Sequence, residues 1–155
     1  DTSTLSDRDL DALRLRRIGF VFQKINLIPI LTAFENIELP MEISGVPPAQ
    51  RRRRVLELLE AVGMARRADH RPSQLSAGEQ QRVGIARALV NQPEVVLADE
   101  PTGNLDSNTA ATIMDFMKKM NSELGQTLIL VTHDPDVGTA AHRRLVIRDG
   151  ALSSR

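Results

Sequence analysis

The stretch VVLADEPTGNLD, residues 95–106, joins four apolar residues directly to two adjacent carboxylates. The apolar run is short and is followed by turn-forming residues, which predicts a buried strand over Val95–Ala98. The surrounding segments alternate in type, with helices predicted over 80–90 and 109–124 and strands over 128–131 and 145–148, the last closed by a turn at Asp149-Gly150. This alternation predicts an α/β domain with parallel strand pairing.

The amino-terminal region predicts one further strand and then a mainly helical stretch. The strand is expected over Ile18–Phe22, after a polar helix over Asp7–Arg16. Thr32 and Glu35 have the spacing of a capping box, so a helix is expected to begin there, with Pro40 as its limit.

A third helix is expected over Ala49–Val62, where Pro47 and Pro48 precede its first turn. This helix carries four consecutive arginines, Arg51–Arg54. Such a run is a candidate nucleic-acid patch, but the leucine and valine residues of the same helix favour a solvated basic face. We therefore expect no nucleic-acid partner.

Composition predicts a single soluble domain. The 155 residues are 41% hydrophobic, which is enough for one buried core. Twenty Lys and Arg balance twenty Asp and Glu, so no overall positive field attracts nucleic acid. The absence of cysteine excludes disulfides and thiolate metal sites. No apolar run approaches the ~18 residues of a membrane span, and nothing at Asp1 resembles a signal peptide.

Polar side chains follow three of the predicted strands, namely Gln23, the Asp99-Glu100 pair and His133. Ligands bind beyond the carboxyl ends of the strands in open parallel sheets, so these four side chains are expected to meet in one crevice. Each also has an ordinary interpretation: Gln23 as a loop amide, Asp99 as a turn former and His133 as a cap before Asp134-Pro135.

The Asp99-Glu100 pair is costly at the end of a buried strand unless a cation or hydrogen bonds compensate its charge. A Mg²⁺ ion that bridges nucleotide phosphates would compensate Asp99. Glu100 leaves the backbone in the other direction, where it could orient and deprotonate a water. The alternative is a pair of turn-forming acids before Pro101.

Another helix start lies within LSAGEQQR, residues 75–82. Ser76 and Glu79 again have capping-box spacing, so a helix is expected to present unpaired N–H groups and its positive dipole end there. Gly78 would let an anion approach those N–H groups closely. A capping box on its own usually has only a structural role. Here the surrounding sequence favours a functional one.

Four segments in this order resemble the motifs of ATP-binding cassette (ABC) transporter ATPases. LSAGEQQRVGIARAL at 75–89 resembles the signature motif, and residues 95–106 resemble the Walker B motif and D-loop. FVFQ, ending at Gln23, resembles the Q-loop, and VTHD around His133 resembles the switch loop. The likeness covers essentially the whole chain, and ADEPTGNLD is similar to the subgroup that serves lipoprotein release, macrolide export and cell division. It implies a P-loop NTPase-like, mostly parallel sheet with an inserted helical subdomain at approximately 25–88.

The resemblance implies catalytic and metal roles at the strand ends. Gln23 would act at Mg²⁺ and the attacking water, and Asp99 would hold Mg²⁺ through water. Glu100 would be the general base, and His133 would contact the γ-phosphate of ATP.

The resemblance also implies a signature contact, in which Ser76, Ala77, Gly78 and Glu79 bind the γ-phosphate of nucleotide held mainly by a second ATPase subunit. The two subunits would face head to tail, with Asp106 at their interface. Ala77 and Glu79 depart from the glycine and glutamine that are common in the family. A methyl group at position 77 would crowd a phosphate, or strain the backbone if a positive φ is needed there, so function is expected to be weakened rather than abolished.

The implied cofactors are ATP and Mg²⁺, and the implied partners are the second ATPase subunit and an integral membrane permease. The stretch 25–71 would dock on that permease, with Glu35–Leu39 near the contact. The protein would then lie in the cytoplasm, at the inner face of the membrane.

One family motif has no counterpart in the sequence. No segment reads G-x-x-x-x-G-K-[ST], and the lysines, at 24, 118 and 119, do not follow glycine. The resemblance therefore predicts a single, N-terminally incomplete ABC ATPase domain over 1–155, with the Walker A strand and loop missing. In the family that strand lies between those corresponding to 128–131 and 145–148. Its absence is expected to leave unpaired backbone on both neighbours or to force them together across a gap of ~9–10 Å. The chain alone is expected to be inactive.

Four interpretations remain open at this point. The chain is part of a transporter ATPase whose upstream region supplies the phosphate loop, or a truncated subunit that lends its signature and docking surface to an intact partner. The third is the chromosome-maintenance and repair branch of the family. Its proteins insert long coiled coils, whereas the segment between Gln23 and Ser76 is short and has no sustained heptads. A plain scaffold with coincidental motifs is the fourth.

Overall fold

The structure is a computed structural model that describes residues 2–103, 105–139, 141–148 and 150–153. The helices are α1 (Asp7–Arg17), α2 (Ala33–Ile43), α3 (Pro48–Ala61), α4 (Ala77–Leu89), α5 (Ser107–Leu124) and α6 (Pro135–Thr139). The strands are β1 (Ile18–Val21), β2 (Val95–Asp99), β3 (Thr127–Val131), β4 (Val146–Arg148) and β5 (Ala151–Ser153).

Strands β1, β2 and β3 form a parallel sheet in that order, which confirms the α/β prediction. The register aligns Val21 with Ala98 and Leu130, so these side chains share one face of the sheet. Val21 and Ala98 are both buried, and Leu130 packs against the same core. Because the pairing is parallel, the carboxyl ends of the three strands lie at the same edge of the sheet.

Helix α4 packs on this face of the sheet at very close range. A Cβ placed on Gly19 of β1 would lie 2.3 Å from the carbonyl oxygen of Ala88 and 3.1 Å from Cγ of Pro93. Only glycine leaves room for the helix backbone at this point. The strand that leads to Gln23 and the helix whose N-cap is Ser76 are thus packed directly against each other.

A helical region lies between β1 and β2 and shares the same core. Its buried side chains come from all three of its helices and include Ile37, Leu59 and Ile85. Asn36 is fully buried in this region; its side chain accepts from Ile28 N–H at 2.8 Å and donates to the Thr32 carbonyl at 2.9 Å. This amide ties the loop after β1 to the start of α2.

Pro40 does not limit α2, so that prediction is wrong. The helix continues to Ile43, and the Pro40 carbonyl accepts from both the N–H and the hydroxyl of Ser44, at 3.1 and 2.8 Å. Proline removes one helical N–H donor. Burial of Ile37 and Met41 on the core side of the helix offsets that loss.

The arginine run at the start of α3 is only partly the solvated face that was expected. Arg51 lies 2.9 Å from Glu38 in an ion pair with little exposure, and Arg54 donates to the Leu89 carbonyl at 3.4 Å. Arg52 and Arg53 are exposed. Two of the four arginines, Arg51 and Arg54, therefore link α3 to α2 and α4.

Several helix starts lie earlier than the apolar pattern indicates. Helix α4 begins at Ala77 rather than 80, and α5 begins at Ser107 rather than 109. In both cases the preceding residue is the N-cap, Ser76 and Asp106 respectively. The polar first turns carry no hydrophobic periodicity, which explains the displacement.

The carboxyl-terminal strands do not join the parallel sheet in the described residues. β4 pairs with β5 in a separate antiparallel hairpin. The predicted strand at 145–148 is thus present from Val146, and β5 is an addition that the sequence did not predict. Of the predicted turn, Gly150 has a φ of 77°, whereas Asp149 lies outside the described residues.

The face of the main sheet opposite α4 is open. Phe20, Leu97 and Ile129 align across this face, and Ile129 is 51% exposed. Val131, at the end of β3 on the same side, is 61% exposed. We call these four residues the open sheet face.

Among the helices of the described residues, none has the combination of length and hydropathy needed to cross a membrane.

Candidate active site at the carboxyl edge of the sheet

The order β1-β2-β3 brings the predicted site residues to one edge of the sheet. Gln23 follows β1 after one residue, Asp99 ends β2 with Glu100 next to it, and His133 follows β3 after one residue. All three strands are parallel, so these residues lie at the same, carboxyl edge. The segments carrying the four side chains are therefore neighbours.

Gln23 and Asp99 line a common cleft of about 520 Å³. Phe22 also lines it, and its ring stacks on that of Phe20 with centroids 5.9 Å apart. Asp99 is exposed to solvent. Water therefore solvates the charge of Asp99. The expectation that this charge is costly without a cation or hydrogen bonds does not hold for Asp99.

Glu100 and His133 are in direct contact. Nδ1 of His133 lies 2.6 Å from Oε1 of Glu100, and the backbone N–H of His133 donates to the same oxygen at 2.8 Å. The Glu100 side chain is only 13% exposed, whereas the His133 ring is 82% exposed. The carboxylate is thus fixed, and its histidine partner is open to solvent.

Thr132 completes the surroundings of the carboxylate. Its hydroxyl donates to Oε2 of Glu100 at 3.2 Å and accepts from the Asp134 N–H at 3.0 Å. Thr132 is a site residue that was not predicted from the sequence. Its position beside His133, directly after an apolar strand, is the signal that could have identified it.

The hydrogen bonds determine the ionisation of Glu100. Burial is the largest single influence and by itself raises the pKa of this carboxyl, because it disfavours the charged form. The bonds from His133 and Thr132 together outweigh burial, so the pKa of Glu100 lies below its ordinary value of 4.5. Glu100 is therefore a carboxylate at neutral pH.

The backbone of Glu100 is strained. Its φ is +46°, in the left-handed region that residues with a Cβ rarely adopt. Such a conformation costs about 1–2 kcal/mol. The N–H of Glu100 donates to the Val131 carbonyl at 2.9 Å, and its own carbonyl accepts from Gly103 N–H at 3.2 Å. These bonds close the turn that holds the side chain against β3.

The capping box at the start of α4 is present as predicted. Ser76 Oγ accepts from Glu79 N–H at 3.2 Å, and the Glu79 carboxylate accepts from Ser76 N–H at 2.8 Å. Ser76 and Ala77 are exposed, so the positive end of the helix dipole faces solvent. Neither Ala77 nor Gly78 has a positive φ, so the methyl group of Ala77 introduces no backbone strain.

Glu79 also forms an ion pair outside its own helix. Its Oε1 lies 3.2 Å from Nε of Arg67. The Ser76 backbone bond is the main cause that lowers the pKa of Glu79, and Arg67 adds to it. The first turn of α4 is thereby tied to the segment that precedes it.

Comparison with known proteins identifies the family. Residues 2–103 match the family described as ABC transporter. The chain belongs to this family. An ABC transporter ATP-binding protein of Thermotoga maritima is 54% identical over 155 residues; the match covers 98% of this chain and 64% of that protein. The chain thus spans less than two thirds of the length of this relative.

Macrolide export proteins are among the ABC relatives. The macrolide export ATP-binding/permease protein MacB of Brucella melitensis is 50% identical over 154 residues, which cover 99% of this chain and 24% of that protein. This agrees with the subgroup that the ADEPTGNLD wording indicates.

Solved ABC cassettes share the fold. The ATP-binding cassette MJ0796, in a dimeric post-hydrolysis state bound to ADP and Pi, superposes with a TM-score of 0.92 at 46% identity, over 99% of this chain and 68% of that one. A second dimeric structure of MJ0796 gives the same TM-score at 47% identity and the same coverage. These matches confirm the predicted P-loop NTPase-like fold class.

Asp106, in the segment that resembles the D-loop of ABC ATPases, has a local structural task. Its carboxylate accepts from the N–H and the hydroxyl of Thr109, at 3.0 and 2.6 Å, and so caps α5. The hydroxyl bond is the main reason that the pKa of Asp106 lies below its ordinary value. Asp106 is exposed and is the N-cap of α5, which follows the carboxyl edge of the sheet in the chain.

Proposed function

We propose that this chain is the nucleotide-binding part of an ABC transporter ATPase that uses Mg-ATP hydrolysis to drive a membrane permease, with Glu100 as the general base. The contact between Glu100 and His133, beside the cleft of Gln23 and Asp99, carries this proposal. Together, the contact and the cleft place an ionised carboxylate, a hydrogen-bonding imidazole ring and oxygen ligands at the carboxyl edge of a parallel sheet. Nucleotides bind at this edge in such folds.

The cleft offers the ligands that Mg²⁺ prefers. This ion is usually bound by one or two carboxylates together with water and substrate phosphates. Asp99 and the side-chain oxygen of Gln23 provide that donor set. No group of three or more His, Cys, Asp or Glu within the described ranges forms a closed metal cage. Bound Mg²⁺ would compensate the charge of the γ-phosphate.

Glu100 would accept the proton of the attacking water. In its present contacts Oε1 is taken by the ring and the backbone of His133. The exposed His133 ring would turn from Glu100 towards the γ-phosphate, which frees one lone pair of Oε1 for water. Thr132 would keep hold of Oε2 and preserve the direction of the carboxylate.

The start of α4 would bind the γ-phosphate of nucleotide on a second subunit. Ser76 Oγ is an acceptor within its own cap, so its hydroxyl hydrogen is available for a phosphate oxygen. Gly78 and the exposed Ala77 contribute backbone N–H groups. Glu79 would act by holding this turn in shape rather than by touching phosphate.

The phosphate loop would come from outside the 155 residues, since no Walker A sequence occurs among them. The open sheet face supports this, because apolar side chains exposed on a sheet, here Ile129 and Val131, normally pack against further structure. Docking on the permease would use the region 25–71 near Glu35–Leu39 and would hold the protein at the cytoplasmic side of the membrane.

The direct test is Mg²⁺-dependent ATP hydrolysis by the full-length protein that carries this sequence. Glu100→Gln is expected to lower kcat by on the order of 10²–10⁴-fold, because it removes the base. Glu94→Gln is the matched control; this residue precedes the opposite end of β2, where its exposed side chain pairs with Arg17, and its variant should keep full turnover. Undiminished hydrolysis by Glu100→Gln would refute the assignment.

A truncated subunit that only lends its signature remains the second candidate, because Ser76 and Ala77 are exposed at a well-formed helix start. It predicts that the 155-residue chain restores hydrolysis to an intact ABC ATPase whose own signature has been disabled. Absence of any restoration would exclude this role.

A further inference from the structure

Gln81 is a buried amide that links α4 to the segment after Glu100. The side chain is 2% exposed, and its Nε2 donates to the carbonyl oxygen of Pro101 at 3.0 Å. Gln81 lies one turn beyond the capping box of α4, on the side that faces the core. The helix whose start resembles the ABC signature therefore holds the residue next to the candidate base.

The turn after Glu100 needs such support. Glu100 has a φ of +46°, which it adopts only because its surroundings impose it. On one side, its N–H is fixed to the Val131 carbonyl at 2.9 Å. On the other side, Pro101 has no N–H to contribute, and its carbonyl is bound by Gln81. The two bonds fix the backbone before and after the strained residue.

Stability alone does not explain the hydrogen bond between Gln81 and Pro101. Oε1 of Gln81 is buried and has no hydrogen-bond partner among the described residues. A buried amide with only part of its hydrogen-bonding capacity met is less favourable than an apolar side chain of similar shape. Packing alone therefore does not account for glutamine at this position.

We propose that Gln81 is a positioning residue that holds Glu100 in its hydrolytic orientation through the carbonyl of Pro101. The proposal rests on the function proposed above, in which Glu100 is the base. The signature helix and the base of one subunit then move as a unit. A shift of α4 when its start engages nucleotide on a second subunit would be transmitted to the Glu100 carboxylate.

The chain contains a matched control, Gln126. It is 4% exposed, its Nε2 donates to the Pro93 carbonyl at 2.8 Å, and its Oε1 is likewise buried and without a partner among the described residues. Pro93 and Pro101 stand at opposite ends of β2, and only Pro101 adjoins Glu100. The two glutamines thus share their burial and bonding but differ in their distance from the site.

The experiment compares Gln81→Met and Gln126→Met in the full-length protein. Methionine keeps the size of the side chain and removes the donor. Gln81→Met is expected to lower kcat by about 10- to 100-fold with KM for ATP unchanged, since a small displacement of a catalytic group has effects of this size. Gln126→Met is expected to retain kcat. Normal kcat in Gln81→Met, or equal losses in both variants, would overturn the proposal.

Two additions keep the test decisive. If Gln81→Met fails to fold, Gln81→Asn replaces it, because its shorter side chain keeps an amide but withdraws it from Pro101; the same loss of kcat is expected, and normal kcat would overturn the proposal. Amide hydrogen exchange at Gly103 and Leu105 should accelerate in the Gln81 variants but not in Gln126→Met, and unchanged exchange would also overturn it. Full hydrolysis by Glu100→Gln would instead refute the proposed function, independently of the Gln81 result.

Discussion

Nδ1 and the backbone N–H of His133 both meet the same oxygen of Glu100, at 2.6 and 2.8 Å. The two residues follow neighbouring parallel strands, so the contact is a direct product of the sheet order. It occupies the oxygen that a hydrolytic water would use. The structure therefore holds the candidate base ionised, with this oxygen engaged by His133.

Replacement of His133 should change both the rate and its pH dependence. His133→Ala removes the ring bond that lowers the pKa of Glu100 in the free enzyme, so this pKa rises and the acidic limb of the kcat/KM profile moves to higher pH. We expect kcat at neutral pH to fall by on the order of 10²-fold because the γ-phosphate contact is also lost. The measurement is steady-state hydrolysis across the pH range. His142→Ala, at an exposed histidine, is the control; an unmoved acidic limb in His133→Ala would contradict the prediction.

The 155-residue chain should bind ATP poorly on its own. The backbone N–H groups of a glycine-rich loop and the lysine of that loop supply the main hold on the β- and γ-phosphates in P-loop proteins, and no segment of this sequence has that G-x-x-x-x-G-K-[ST] pattern. Calorimetric titration of the purified chain with Mg-ATP should give no saturation in the micromolar range. The full-length protein is the positive control, and micromolar affinity of the short chain would refute the prediction.

The ionisation of Glu79 should make the free energy of unfolding depend on pH in the acidic range. Its pKa lies below the ordinary value of 4.5, so its contribution is fully present above about pH 4.5 and is lost as the pH falls through the lower folded value. Glu79→Gln keeps a capping oxygen but removes the charge from the helix start. At pH 7 we expect a loss of about 0.5–1 kcal/mol in the free energy of unfolding, and a shallower acid decline.

Urea denaturation of the full-length protein at pH 7 and at lower pH measures this difference. Glu123→Gln, which alters an exposed pair with Lys119 on α5, is the control and should change little. A decline with acid that is identical in the Glu79→Gln and unsubstituted proteins would rule out this contribution.

Gly19→Ala should be strongly destabilising. The new methyl group would lie 2.3 Å from the Ala88 carbonyl oxygen, so α4 must move away from β1. We expect a cost of about 3 kcal/mol or more, at the upper end of overpacking effects, because the opposing atom is backbone. The midpoint of urea denaturation measures it. Gly138→Ala, where a Cβ meets nothing within 4 Å, is the control, and equal midpoints for the two variants would contradict the packing described.

Local patterns in the sequence predicted the strands and caps of the sheet edge well. Val95–Ala98 is apolar and short, and Thr32 and Ser76 have acidic residues at capping distance, so each signal is contained within a few residues. Parallel pairing followed from the alternation of elements. This was sufficient to bring Gln23, Asp99-Glu100 and His133 to one edge.

Features that depend on distant contacts were not predictable. Continuation of α2 through Pro40 depends on burial of Met41 in a core formed by several helices. The side-chain partners of Glu100, Thr132 and His133, lie directly after β3, more than thirty residues further along the chain. Gln81 lies inside a motif but gave no separate signal, because its acceptor at Pro101 becomes adjacent only when α4 packs on the sheet.

The open sheet face has a practical consequence for handling this chain. Ile129 and Val131 are exposed on this face, and Phe20 and Leu97 beside them are partly exposed, so it presents to water a surface of the kind normally found inside proteins. Dyes that fluoresce on apolar surfaces should bind the chain while its helices are intact. Strand β3 is also an edge strand of this sheet in the described residues. Unpaired edge strands promote self-association, so association through β3, rather than unfolding, is expected to limit the concentration at which the isolated chain stays monomeric.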